Sequence, residues 1–145
     1  MSKVLESYRL LIAEVYELAG LSRRTSDEMA REHGQTAARW HVMSVLDEES
    51  LSVADVARRL GLAPQSVQRV VNDLKELRCV SVRPNPRDKR APLVTLTAAG
   101  RTSHDALFAA SEVDRLSMLE RSGLHAAELD EARRTIRVLI DSLNA

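Results

Sequence analysis

The sequence lacks most of the features that staple, anchor or arm a protein. One cysteine in 145 residues excludes an internal disulfide. A chain of this length buries a sufficient core without one, so a reducing compartment is expected. The longest stretch free of Lys, Arg, Asp and Glu is Ala91 to Gly100, about half of the roughly 20 apolar residues that cross a bilayer. No membrane span is expected. Glu6 and Glu14 interrupt the place where the apolar core of a secretory signal would lie, and a cytoplasmic location is expected. The five glycines form no phosphate-cradling loop. No metal quartet and no nucleophile motif is present, so catalysis is not expected and no cofactor is implied.

Net charge is also missing, since 21 Lys and Arg face 21 Asp and Glu. Position carries the information that the total conceals. Between Ser52 and Pro92 lie nine basic residues and four acidic ones, so a basic middle is flanked by acidic ends. One face is therefore expected to meet a polyanion.

Apolar spacing by threes and fours at Val4, Leu5, Tyr8, Leu11, Ile12, Val15 and Leu18 predicts a first amphipathic helix, continuing to about Arg31 and ended by His33 and Gly34. Thr36 precedes a second helix, Ala37 to Glu48, apolar on several sides through Trp40, Val42, Met43, Val45 and Leu46. Ser52 with Asp55 three residues on resembles a reciprocal N-cap for a short helix that Gly61 ends. Pro64 suits the first turn of the next, whose apolar face is Val67, Val70, Val71, Leu74 and Leu77. Two short helices across a tight Gly-containing turn form a helix-turn-helix. The period then changes: Val80 and Val82 alternate with Ser81 and Arg83, Pro84, Asn85 and Pro86 force a turn, and Leu93 to Thr97 alternate again. This is a β-hairpin with a basic tip, the wing of a winged helix. Thr97 caps a long helix broken by Gly123, and a last helix covers roughly Ala126 to Leu143. The fold class is mainly α with a small β-wing.

Several of these residues in their order resemble the MarR family of bacterial winged-helix transcription regulators. They are Gly34, Gln35, Thr36 and Trp40, the stretch Ser52 to Leu77, the wing residues Asp88, Lys89 and Arg90, then Leu93 to Thr97 and Gly100. The resemblance implies a homodimer, with residues 1–34 and 100–145 as dimerisation helices and 36–99 as the DNA-binding lobe. Three departures accompany it. Cys79 stands where the family often has a glycine that accepts a left-handed backbone, Ala63 where a Ser or Thr cap is common, and His125 where a Ser often caps the last helix.

With its apolar side inward, the second helix of the motif turns Gln65, Gln68, Arg69 and Asn72 outward, with Ser66 exposed at its first turn. Gln suits adenine N6 and N7, and Arg suits guanine O6 and N7. Arg90 is expected to enter the minor groove. The family pattern implies that Asp88 fixes the direction of its guanidinium. Lys75, Arg83, Arg87 and Lys89 are expected on phosphates, and a dimer implies an inverted repeat of double-stranded DNA with half-sites roughly 10 bp apart.

The resemblance further implies a small, often aromatic, effector held between the dimerisation helices and the lobe, where Tyr8, Arg9, Ile12, Trp40, His41, Met43, His104 and Phe108 are candidates. Of these, Trp40 and Phe108 read as core residues before ligand contacts. The histidines lack the spacing of a metal site, and Cys79 reads as a buried, inert thiol. The expected function is a homodimeric repressor released by a small ligand. A winged-helix dimer serving protein interaction or ligand binding is the alternative.

Overall fold

The computed structural model describes residues 2–145. These residues form, in order, α1 (Lys3–Glu32), α2 (Ala37–Val45), β1 (Leu51–Ser52), α3 (Val53–Leu60), α4 (Pro64–Glu76), β2 (Val80–Arg83), β3 (Leu93–Leu96), α5 (Ala98–Ser122) and α6 (Ala126–Leu143). They divide into two compact units, one reaching to Ala109 and one beginning at Ala110.

In the first unit, α1 begins where the Ser2 hydroxyl accepts the Leu5 N–H at 3.3 Å and runs unbroken through Gly20. It ends at His33, with Gly34 at a φ of 69°. Its buried residues are Ser26, Met29 and Ala30, all near its C-terminal end. The Thr36 hydroxyl caps α2 by accepting the Arg39 N–H at 3.1 Å. This helix stops at Val45, short of the expected Glu48. Asp47 is drawn out of helical continuation because its carboxylate and its carbonyl both accept from the Arg101 guanidinium.

The helix-turn-helix forms as its caps dictate. The Ser52 hydroxyl accepts the Asp55 N–H at 3.2 Å. The Asp55 carboxylate accepts from Arg58 at 3.1 Å rather than closing a reciprocal cap. Arg58 first, and the Ser52 hydroxyl second, hold that carboxyl below its usual pKa. Gly61, at a φ of 65°, closes α3 with Leu62 N–H on Ala57 O at 3.0 Å. Ala63 supplies no side-chain cap to α4, and Pro64 lessens the need by removing one of the unpaired N–H groups. Val67, Val71 and Leu74 of α4 are fully buried and share the core with Val56, Trp40, Val42, Met43, Val94 and Leu107. Each such side chain stabilises the fold by about 1.5 to 3 kcal/mol. Leu77, expected on the apolar face of α4, is instead the exposed residue that closes the helix.

The wing strands pair antiparallel, Val80 opposite Leu96 and Arg83 opposite Leu93. A third strand, β1, joins the far edge of β3 through Leu51 opposite Val94, giving the order β1-β3-β2. Two residues leave no alternation to read, and sequence reasoning did not anticipate this strand.

The turn between α4 and the wing differs from expectation by one position. Arg78, not Cys79, takes the left-handed backbone, with a φ of 60°. Cys79 lies buried at the foot of β2, its N–H on Leu74 O at 2.8 Å. The Thr97 hydroxyl donates to Arg78 O at 2.6 Å and accepts the Gly100 N–H at 3.1 Å. There α5 packs so closely that a Cβ on Gly100 would overlap the Cys79 carbonyl oxygen and lie 2.9 Å from its carbonyl carbon.

In the second unit, α5 ends at Gly123, with a φ of 72°. The Glu128 carboxylate accepts the His125 N–H at 3.1 Å, one half of a reciprocal cap at the start of α6. None of the α6 residues is buried. Among the described residues, no helix is long and apolar enough to cross a membrane.

Because the atoms opposing a new Cβ are backbone and cannot rotate away, Gly100→Ala is expected to cost about 2 to 3 kcal/mol, read as a lower urea midpoint with unchanged slope. Arg78→Gly removes a left-handed penalty and is expected to raise stability by up to about 1 kcal/mol in the same measurement.

Candidate nucleic-acid interface

Burial of Val67, Val71 and Leu74 sets the rotation of α4 about its axis, and its opposite side follows from the helical period. Gln65, Ser66, Gln68, Arg69, Asn72 and Lys75 are all exposed, as the spacing predicts. Arg39 of α2 adds a tie to the inner flank, its guanidinium 3.6 Å from the Asp73 carboxylate. Along the outer side, Gln68 Nε2 donates to Asn72 Oδ1 at 3.0 Å.

The wing tip is held by two side chains that bond to backbone. Asn85 donates from Nδ2 to Ala91 O at 2.9 Å and accepts the Arg87 N–H at 3.0 Å. Asp88 accepts the Arg90 N–H on Oδ1 at 2.9 Å. Here Asp88 positions the Arg90 main chain, and among the described residues no bond joins its carboxylate to the Arg90 guanidinium. Asn85 escaped sequence reasoning as an organising residue, although an Asn before a proline in a turn signals such side-chain to backbone bonding.

Charge pairing separates the cations into two groups. Arg58 is bonded to Asp55, Arg59 to Glu49 and Arg101 to Asp47. Arg69, Lys75, Arg87, Lys89 and Arg90 have no acidic partner among the described residues. Arg83 is intermediate, with a long 3.4 Å bond to the Ser50 hydroxyl. These five unpaired cations all lie on the outer side of α4 and at the wing tip. Gln68, Lys75 and Arg90 also line one cleft of about 340 Å³, walled by Ser52, Val53 and Ala54 at the start of α3. Those three wall residues were not among the sequence candidates, because nothing in the spacing shows how near the wing approaches α3.

The effector candidates divide differently. Trp40 and Met43 are core residues, 3% and 0% exposed, and Met43 has no surface to offer a ligand. Tyr8 and Arg9 are exposed on α1, while Ile12 and His41 are half-buried. Phe108, which sequence reasoning also weighed as core, is 47% exposed, and its ring centroid lies 6.2 Å from that of buried His104. The structure thus brings together His104 with Phe108, and Trp40 with His41. His104 also lies near the carboxylates of Asp47 and Asp105, beside the ion pair that Arg101 makes with Asp47.

Comparison with known proteins bears on this arrangement. A family model described as MarR family matches residues 33–91, which include α2, the helix-turn-helix and the wing tip. The uncharacterized protein Rv2011c of Mycobacterium tuberculosis is 38% identical over 135 residues, 93% of each chain. The transcriptional activatory protein BadR of Rhodopseudomonas palustris is 30% identical over 95 residues, 63% of this chain and 54% of its own. Among solved structures, CouR from Rhodococcus jostii RHA1 bound to p-coumaroyl-CoA superposes with a TM-score of 0.72 at 21% identity, over 86% of this chain and 87% of that one. At that identity the likeness is one of fold.

The Asp88 geometry predicts a distinction between two substitutions. Asp88→Ala should speed amide hydrogen exchange at Arg90 roughly tenfold without moving the melting temperature. Asp88→Asn, which keeps the Oδ1 acceptor, should leave that exchange nearly unchanged.

Proposed function

Since the chain belongs to the MarR family of DNA-binding transcription regulators, which are not enzymes, we propose that it acts as a homodimeric repressor of inverted-repeat operators, released by a small ligand. The observation that carries this reading is the set of unpaired cations, Arg69, Lys75, Arg87, Lys89 and Arg90, on the recognition helix and wing of a chain with no net charge. Cations left without acids are available to displace counterions from phosphate. Gln65, Ser66, Gln68, Arg69 and Asn72 then read base edges in the major groove, and Arg90 reads the minor groove. Lys75, Arg83, Arg87 and Lys89 set the register through phosphate, and Asp88 holds the turn that presents Arg90.

Dimerisation is supported by apolar surface with no cover in the single chain. Val4, Leu5 and Leu10 of α1 are more than half exposed, and α6 leaves Leu129, Ile136, Val138, Ile140 and Leu143 open. Stripes of this kind, on helices with polar opposite faces, need a partner surface. A second copy fits because both reading heads then meet DNA with two-fold symmetry.

Release by a ligand is supported by the p-coumaroyl-CoA bound to CouR and by the accessible Phe108 ring beside His104 here. Repression needs only occupancy of a promoter. Activation, the role in the name of the Rhodopseudomonas relative, needs a further protein contact. A reporter placed downstream of the selected operator distinguishes the two by the sign of its response.

Selection of random duplex DNA by the purified protein at about 150 mM salt is expected to enrich an inverted repeat with half-sites roughly 10 bp apart, and Arg90→Ala should weaken the enrichment without altering the circular dichroism. Absence of any enriched motif favours the interaction-module reading. Ile136→Glu, placing a charge in the open stripe of α6, is expected to convert the sedimenting species to monomer and to lower operator affinity at least tenfold.

A further inference from the structure

The bond between Gln68 and Asn72 changes what the recognition helix offers to a base. We propose that these two residues read one base pair as a single unit and select adenine. The inference rests on the DNA-binding reading above and adds the identity of a base contact to it.

Gln68 and Asn72 are one helical turn apart, both exposed, on the side of α4 opposite Val67, Val71 and Leu74. Gln68 Nε2 donates to Asn72 Oδ1 at 3.0 Å. Each primary amide carries one carbonyl acceptor and two N–H donors. Once Gln68 commits one donor and Asn72 its acceptor, the Gln68 carbonyl with its second N–H and the Asn72 N–H pair remain, so one amide still offers an acceptor and the other only donors. The reverse orientation of both amides leaves the same complement of one acceptor and one donor.

The adenine edge in the major groove presents N7 as an acceptor beside the N6 amino donor, which is the complement of that pair. Guanine presents two acceptors there, cytosine an amino donor, and thymine one acceptor with a methyl group. Each of these leaves a group of the pair unanswered where water has been displaced, and an unanswered polar group is costly. The bond between the amides also strengthens as water leaves, because its competitor for hydrogen bonding is removed.

Two independent amides would behave otherwise, since each alone suits adenine and they would specify two positions. The test is therefore the selection experiment with wild type, Gln68→Ala, Asn72→Ala, the double variant and Asn72→Asp, followed by affinities for duplexes differing at single positions. Both single variants are expected to lose the adenine preference at the same position in each half-site, by about 5- to 150-fold, with the double variant losing no more than either. Asn72→Asp keeps an acceptor for Gln68 and removes the donor to N7, so adenine should lose its advantage over cytosine there. Relaxation at two different positions, or losses that multiply in the double variant, overturns the inference while leaving the regulator reading intact. A wild type that enriches no motif overturns both.

Discussion

The structure depends on the place where the Arg78–Cys79 backbone meets the start of α5. Thr97 makes three bonds there: its N–H to Cys79 O at 3.0 Å, its hydroxyl to Arg78 O at 2.6 Å, and that hydroxyl's acceptance of the Gly100 N–H at 3.1 Å. Each bond contributes only about 1 kcal/mol to stability. Their joint effect is geometric, because they bring the end of the recognition helix, the base of the wing and the first turn of α5 to one point. Gly100 makes the approach possible by having no Cβ to strike Cys79. The chain accepts a left-handed Arg78 to make the turn, at roughly 1 to 2 kcal/mol, in a position where glycine would be free of that strain.

Electrostatics follows a similar division between what is tied down and what is left available. Exposed ion pairs such as Arg58 with Asp55, Arg134 with Glu131 and Arg133 with Asp130 add little stability. Their larger consequence is that acids and bases cancel locally wherever they pair. No such pair cancels Arg69, Lys75, Arg87, Lys89 or Arg90, so a chain with no net charge keeps unpaired cations on the outer side of α4 and at the wing tip.

Much of this was readable before any coordinates, and the parts that were not share a physical reason. Thr36, Ser52 and Thr97 announced their helix starts because a hydroxyl acceptor before an apolar period has few other uses. The outward set Gln65, Gln68, Arg69 and Asn72 followed from the apolar face of α4 by the helical period alone. What escaped depends on contacts distant in sequence or on a single dihedral. Strand β1 exists because Leu51 finds Val94, and no pattern in two residues foretells that. The left-handed residue is Arg78 rather than Cys79 because the turn must bring Cys79 N–H to Leu74 O. The family pattern implied that Asp88 directs the Arg90 guanidinium, whereas here its carboxylate, two residues before the Arg90 N–H, bonds to that N–H. The effector candidates were least legible, since spacing placed Met43 and Phe108 on suitable helices without showing which was covered.

Coupling between a ligand and DNA binding has to pass through elements that move as bodies, and the ties on α5 indicate which bodies those are. Besides the Gly100 junction, Arg101 bonds to the Asp47 carboxylate and carbonyl, His104 lies buried beside Asp47, and Leu107 enters the core. Gly100, Arg101, His104 and Leu107 of α5 thus bind it to the end of α2, to the turn after α4 and to the apolar interior of the lobe. Displacing the first turns of α5 within this unit would break all of them, whereas carrying the lobe along breaks none. A ligand of the kind proposed that displaced the first turns of α5 would therefore carry α4 and the wing with it and leave the lobe intact.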